Sequence, residues 1–391
     1  MNASAIPIPH ARDTVRERER VVPWYVYAAL FASTCVIVGV MWDISWHTTI
    51  GRDSFWTPAH MAIYLGGLVA GVACGWVALR TTFAGTAEER AASVRFWHYF
   101  QAPLGAWVCI WGTFAMLTSA PFDNWWHNAY GLDVRILSPP HTVLALGIGA
   151  IQFGALLMTL APQNRAGDGA ARRYGTLYAI AAGLLLLNAT IMTSEYQRRI
   201  FMHSALFYAI ACGVFPLYLV SLARGARIKW PATAIALVYT AVVLAMVWIL
   251  PLFPAQPRLG PIYQNVTHMV PPDFPLLLIV PAIAMDSILR RFGHLRGWLL
   301  APMLGAAFFV VFFVAQWSFA DFLNSPQSQN WVFATNNYFY GLPTNSFTFR
   351  HAFVPDTSFG RRWGYALALA LSVVSAWLGL AVGRWLSRVR R

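Results

Sequence analysis

Charge is scarce in this chain. Of its 391 residues only 11% are charged, well short of the roughly 25% that keeps a soluble domain in water. Acidic side chains are the rarest, 15 Asp and Glu against 28 Lys and Arg. The four cysteines, Cys35, Cys74, Cys109 and Cys212, fall inside apolar runs and form no CxxC pair, which argues against a disulfide framework and against a thiolate metal site. No Gly-rich phosphate loop, no CxxCH and no nucleophile elbow occurs. Those absences remove P-loop nucleotide binding, c-type haem attachment and α/β-hydrolase chemistry from consideration.

Apolar residues make up 58% of the chain, and they come in runs long enough to cross a hydrocarbon core of about 30 Å, which takes about 20 helical residues. The runs fall near 24–42, 58–79, 101–119, 139–161, 175–193, 202–222, 231–251, 272–289, 297–318 and 363–383. The expected fold is therefore all-α, a polytopic transmembrane helix bundle of about ten spans. A net charge of +13 does not mark a nucleic-acid surface here, because the basic residues alternate with the spans. Arg12, Arg16, Arg18 and Arg20 precede the first, and Arg80, Arg90 and Arg95 follow the second. Arg165, Arg172 and Arg173 follow the fourth, Arg224, Arg227 and Lys229 the sixth, Arg290, Arg291 and Arg296 the eighth, and Arg384 to Arg391 close the chain. The positive-inside rule then places these segments and both termini in the cytoplasm, with Arg198 and Arg199 the notable exception. The first run is too long for a signal-peptide core and reads as an uncleaved span in a bacterial-type inner membrane.

A repeat carries the chemistry. Residues 42–67 read WDISWHTTIGRDSFWTPAHMAIYLGG and residues 122–149 read FDNWWHNAYGLDVRILSPPHTVLALGIG. Asp43, His47, Gly51 and Asp53 recur as Asp123, His127, Gly131 and Asp133, and Pro58 and His60 recur as Pro139 and His141. Both copies join an odd span to the next even one, so the first four spans hold two parallel helix–loop–helix units. Within a unit, Asp and His at i, i+4 share one helix face. Thr57 and Ser138 read as N-caps, with proline at the first helical position, so His60 and His141 fall in a first turn. Gly51 and Gly131 suit turns that need positive φ.

Each unit thus offers two histidines and one carboxylate, a ligand set for copper, zinc or non-haem iron, with no cysteine or methionine to favour a Cu(I) carrier. Three protein ligands leave a coordination position open, as catalysis requires. Against this stands the plain reading, in which ionisable groups at helix ends are solvated interfacial residues. Two ordered copies in so acid-poor a chain weigh against it. Asp53 and Asp133 could each accept from and orient a ligand histidine, but read rather as loop structure, paired with Arg52 or Arg135, and the nearby tryptophans read as an interfacial belt.

The first unit resembles the C subunit of the copper membrane monooxygenases, the family of particulate methane and ammonia monooxygenases. Asp43, His47 and His60 match an Asp-x3-His-x12-His copper motif, with Arg52, Asp53, Thr57 and Pro58 in register. In the family's second position an asparagine precedes the histidine, and here Asp123 stands in its place before His127 and His141. The resemblance covers about residues 20–230. It implies copper at Asp43, His47 and His60, a second site at Asp123, His127 and His141, O2 activation on a small substrate, partner monooxygenase subunits, a quinol or redox-protein electron donor, and a trimer.

The organisation read from the sequence is a polar segment 1–23, a six-helix metal-binding region 24–230, and a four-helix extension 231–391 with a long outer loop, 319–361, expected to pack as a lid. Among other ionisable groups, Glu195 and His203 could form a third site or a proton relay, but beside Arg198 and Arg199 they read rather as an ion pair; His268, after Gln264 and Asn265, could reach a metal only if its loop folds back over the bundle; His351, Asp321 and Asp356 lie in or near the outer loop, and Asp286 has Arg290 at i+4 as a structural partner. His98 and His294 are assigned no role. Haem ligation is disfavoured because the histidines crowd helix ends. The competing function is a metal-handling or transport protein using the same side chains, and a third is a structural assembly factor.

Overall fold

The computed structural model describes residues 22–51, 56–131, 138–258, 266–334 and 356–391. Eleven helices appear among them: α1 (Trp24–Thr49), α2 (Pro58–Ala84), the single-turn α3 (Ala87–Ala91), α4 (Leu104–Tyr130), α5 (Pro139–Arg165), α6 (Asp168–Met192), α7 (Ala205–Gly225), α8 (Pro231–Ile249), α9 (Ile279–Phe292), α10 (Gly297–Leu323) and α11 (Tyr365–Leu386), the last preceded by a π turn at Gly360–Gly364. Nine are long and apolar enough to cross a membrane. The chain is an all-α, multi-pass membrane protein. Its only described strands, β1 (Val94–Phe96) and β2 (Phe100–Ala102), form a small hairpin turned by Trp97 and His98 at positive φ. This hairpin occupies the start of the third expected span, so α4 begins only at Leu104.

The helices start and stop where side-chain chemistry allows. Thr57 Oγ1 accepts the His60 N–H (3.2 Å), Ser138 Oγ accepts that of His141 (3.4 Å), and Ser204 Oγ that of Phe207 (3.3 Å). Each hydroxyl satisfies one of the donors a helix start leaves open. At the opposite, arginine-rich end, Gln163 Nε2 donates to Gly225 O (2.8 Å), and Asn164 Nδ2 to Leu386 O (2.9 Å) and Val389 O (2.8 Å), so α5 closes the carbonyl ends of α7 and α11.

Close packing rests on small residues. A Cβ at Gly39 would stand 2.7 Å from Ile63 Cγ1, and one at Gly66 2.7 Å from Ala32 O, so α1 and α2 cross nearly backbone to backbone. In the second unit Gly112 and Gly147 face each other in the same way, each Cβ position falling under 3 Å from the other's carbonyl oxygen. Without a hydrophobic drive between helices in lipid, such contacts supply the packing. The main buried cluster runs from Leu30 on α1 to Val389 after α11. The last 160 residues therefore share one core with the first part and are not a separate appendage.

The eighth expected span is not a span-length helix. Pro271, Pro272 and Pro275 break the run, residues 271–277 carry no regular structure, and α9 has 14 residues, about 21 Å at the α-helical rise. Irregular backbone at that depth survives only where protein replaces water as its partner. Here Tyr239 Oη accepts the Leu276 N–H (3.0 Å) and Gln316 Oε1 that of Leu277 (3.0 Å).

Of the expected outer loop, α10 continues to Leu323 and the described part folds back. Trp248 Nε1 donates to Val332 O (3.0 Å), and Phe333 packs on Phe274 and Phe322. His351 lies outside the described residues.

Candidate metal centre

Helix α1 runs without a break through Asp43 and His47 to Thr49, so the two side chains share a face one turn apart. His60 meets them from the first turn of α2. Asp43 Oδ1 stands 3.1 Å from His60 Nε2, and Asp43 Oδ2 3.5 Å from His47 Nε2. One ligand atom from each of the three residues lies within 4.8 Å of the others, the only such trio of His, Cys, Asp or Glu among the described residues. His47 is 42% exposed, whereas Asp43 and His60 are 22% and 24% exposed. The cluster is therefore walled on the helix side and open toward the surface.

The donor set fits a metal on its own chemistry. Asp43 Oδ1 is buried from solvent and, among the described residues, faces only the His60 ring nitrogen at 3.1 Å, with no hydrogen bond completed to it. An acceptor left like this costs about 1–3 kcal/mol or more when charged, and a cation between carboxylate and imidazoles removes that cost. Two imidazole nitrogens and one carboxylate oxygen suit copper, zinc or non-haem iron.

The unit turns as its residue types require. Gly51 has φ +102° and Gly131 φ +84°, both in the left-handed region where glycine alone is unstrained. Arg52, Asp53, Asp133 and Arg135 lie outside the described residues.

In the second unit Asp123 on α4 and His141 in the first turn of α5 approach, Oδ1 to Nε2, at 3.6 Å. The His141 Nδ1 is buried without a hydrogen-bond partner among the described residues. His127 lies on α4 one turn past Asp123, and its side chain falls outside the described atoms. The structure thus brings together Asp43, His47 and His60, and separately Asp123 and His141.

What the sequence reading missed is the strut behind the first cluster. Ser45 and Thr49 are also spaced i, i+4, but two residues out of phase with Asp43 and His47, which places them on the far side of α1. Ser45 Oγ donates to Val270 O (2.5 Å). Thr49 Oγ1 donates to Ser45 O (2.6 Å) and accepts the Val270 N–H (2.8 Å). A further bond runs from Arg258 N to Ile50 O (3.0 Å). The segment leading into α9 therefore fixes the end of α1 from behind while the opposite face presents the ligands. His268, in that same segment, pairs its Nδ1 with Thr267 Oγ1 (3.0 Å) and stays out of the cluster.

Other polar groups find partners the local sequence does not announce. His203 takes its carboxylate from Asp321 on α10 (3.1 Å), not from Glu195, and Trp317 stands edge-on 4.3 Å from its ring. Burial pushes His203 below the ordinary imidazole range, and the Asp321 carboxylate opposes that shift. Arg199 is buried, donating to Leu323 O (3.2 Å). Asp356 accepts the Ala205 N–H at the start of α7 (2.9 Å) and the Tyr365 hydroxyl (2.9 Å). Asp286, fully buried, makes no ion pair with Arg290 among the described residues. It accepts from Ala232 N (3.0 Å), Thr233 N (2.8 Å) and Thr233 Oγ1 (2.8 Å), because the open N–H donors at the start of α8, at the positive end of the helix dipole, suit a buried carboxylate better than an exposed guanidinium one turn away.

Set against family models, curated proteins and solved structures, the chain matches none.

Proposed function

We propose that this protein is a copper-binding membrane protein that oxidises a small substrate with O2, alone or as one subunit of a larger enzyme. The observation that carries the reading is the convergence of Asp43, His47 and His60 from two helices on one point, with a buried carboxylate oxygen left over. The motif resemblance favours copper over the iron and zinc that the same donors accept. Asp43, His47 and His60 would hold the ion, and Asp123, His127 and His141 would form a second site. Copper bound there supplies one-electron redox chemistry and O2 activation. The protein's own part is positioning. The Gly39 and Gly66 contacts fix the α1–α2 separation, the Ser45 and Thr49 strut sets the height of Asp43, and the exposed side of His47 leaves an approach from the surface.

In this reading the basic residues at the end opposite the histidines mark the cytoplasmic face, where they outnumber Arg198, Arg199, Arg258, Arg361 and Arg362 at the histidine end. Electrons then come from a quinol or a redox protein at the membrane, and where the chain acts as one subunit the motif resemblance implies partner subunits in a trimer.

The test is metal content by elemental analysis of protein in lipid nanodiscs after copper reloading. We expect His47→Ala/His60→Ala to lose about one copper per chain relative to the unmodified protein, and His127→Ala/His141→Ala to lose another if the second unit binds. Zinc or iron in place of copper, or no metal in any form, overturns the oxidase reading and turns the assignment to metal handling or to a structural role.

A further inference from the structure

A cavity of about 230 Å³ opens at the arginine-rich end, between the end of α7, the start of α8 and the end of α9, with none of Asp43, His47 and His60 in its lining. Arg224, Lys229 and Arg290 stand around it, and Ile228 and Leu289 form apolar walls. None of the three cations makes an ion pair among the described residues. Arg224 Nη1 reaches Gly293 O (3.5 Å). Arg290 Nη1 reaches Lys229 O (3.3 Å), with its guanidinium 4.7 Å above the Trp230 ring. These contacts hold the two guanidinium groups over the cavity and use one N–H of each, out of the five that an arginine carries. The one acid in the lining, Asp286, turns both oxygens to the N–H groups and hydroxyl at the start of α8 and feels the Arg290 charge without forming an ion pair with it among the described residues, so three cations stand against one acid and the lining keeps a positive excess.

The result is a small, polar, cationic opening at the ends of three helices. Its volume is below the roughly 300–1,000 Å³ of a site for a drug-sized ligand, and suits a compact anion. Arg224 and Arg290 lie in the last turns of α7 and α9, the level at which a spanning helix meets lipid phosphates. Basic pockets between helices at that level recognise anionic headgroups. We propose that this cavity is a phosphate-binding site at the membrane edge, whose position favours the headgroup of an anionic phospholipid over free phosphate as the source. The inference rests on the helices spanning a bilayer and is independent of the metal site.

The experiment uses the full chain in phosphatidylcholine nanodiscs, without and with phosphatidylglycerol. Inorganic phosphate is titrated into the phosphatidylcholine discs as a separate arm. Thermal midpoint and retained phospholipid, by native mass spectrometry, are read for the unmodified protein, for Lys229→Gln/Arg290→Gln, and for Arg388→Gln/Arg391→Gln, which removes the same charge outside the cavity. Phosphatidylglycerol is expected to stabilise the unmodified and control proteins. In the cavity variant its retention should fall by roughly fivefold per cation removed, the factor for one basic side chain near an anionic headgroup. Should the double variant fail to fold, Lys229→Gln alone, at an exposed side chain, reads the single fivefold step. Stabilisation by inorganic phosphate and not by phosphatidylglycerol, lost in the cavity variant, keeps the site and assigns free phosphate to it. An equal response of cavity and control variants, or no response of the unmodified protein to either source, overturns the proposal. Loss of copper binding elsewhere leaves every arm unchanged.

Discussion

Replacing Thr49 by valine keeps the β-branched shape and removes only the hydroxyl, which makes it a clean probe of the strut behind the first cluster. Thr49 is buried, and its oxygen is the sole acceptor of the Val270 N–H among the described residues. Valine leaves that N–H buried and unsatisfied, at a cost of about 1–3 kcal/mol, and adds no cavity. The damage should be local. Val270 and its neighbours detach from α1 more often, and their amide exchange accelerates by roughly five- to 150-fold, with one decade per 1.4 kcal/mol. Hydrogen exchange by mass spectrometry in nanodiscs, resolved to peptides covering 266–278, measures it. Thr48→Val is the control, because Thr48 is exposed and bonds only to Ile44 O of its own helix (2.8 Å), and its effect should stay within about 0.5 kcal/mol. Equal exchange in the two variants would refute the claim that this segment braces α1. If the brace also sets the ligand geometry, Thr49→Val should weaken copper retention while leaving Asp43, His47 and His60 intact.

Gly147→Val brings a Cβ to 2.8 Å from Gly112 O and 2.9 Å from Met116 N. We expect α4 and α5 to be forced apart at a cost of about 1–3 kcal/mol or more, whereas Gly75→Ala, with nothing within 4 Å of the added carbon, should stabilise α2 slightly. Thermal unfolding of the two variants side by side decides it. At His203 burial disfavours the protonated ring in the folded chain, so the unfolded chain binds the proton more readily. Stability is then complete above the ordinary histidine value of 6.5 and is lost as pH falls below it. His203→Gln should flatten that acid limb of the unfolding midpoint, and an unchanged slope would show that His203 does not set it. Asp356→Ala removes the acceptor for both Ala205 N and the Tyr365 hydroxyl, and should cost about 0.5–2 kcal/mol as a lost cap. Asp356→Asn, which retains an acceptor oxygen, should recover part of the loss.

Much of the first site was legible because its determinants are local. Thr57 and Ser138 cap their helices, Pro58 and Pro139 open them, Gly51 and Gly131 turn left-handed, and Asp43 and His47 face one way because a helix of 3.6 residues per turn leaves them no choice. What local pattern does not contain is the partner on a distant helix. The run 272–289 has a span's composition, yet Pro271, Pro272 and Pro275 at its start keep 271–277 out of a helix, and the backbone N–H groups of Leu276 and Leu277 are satisfied by Tyr239 and Gln316, some forty residues away on either side. Asp286 has Arg290 at helical spacing but bonds to the start of α8 instead. His203 is answered by Asp321, more than a hundred residues on. The hairpin at 94–102 went unseen because its turn uses Trp97 and His98, neither of which signals positive φ.

The segments on either side of residue 230 also depend on each other for a physical reason. A cluster of two histidines and a carboxylate at a helix end gains less restraint from the helix than one at mid-helix would, since the last carbonyls of a helix have no intrahelical partner. The restraint has to come from outside α1. It comes from Val270 and Arg258, beyond that residue, which bond to Ser45, Thr49 and Ile50 on the turns that carry Asp43 and His47. The extension that shows no likeness to the monooxygenase motif is thus the part that holds the motif in place. A fragment ending near residue 230 should keep all six candidate ligands and yet lose metal affinity, measurable by titrating copper into the fragment and the full chain under the same lipid conditions. Equal affinity in a folded fragment would show that the ligands are positioned by the first six spans alone.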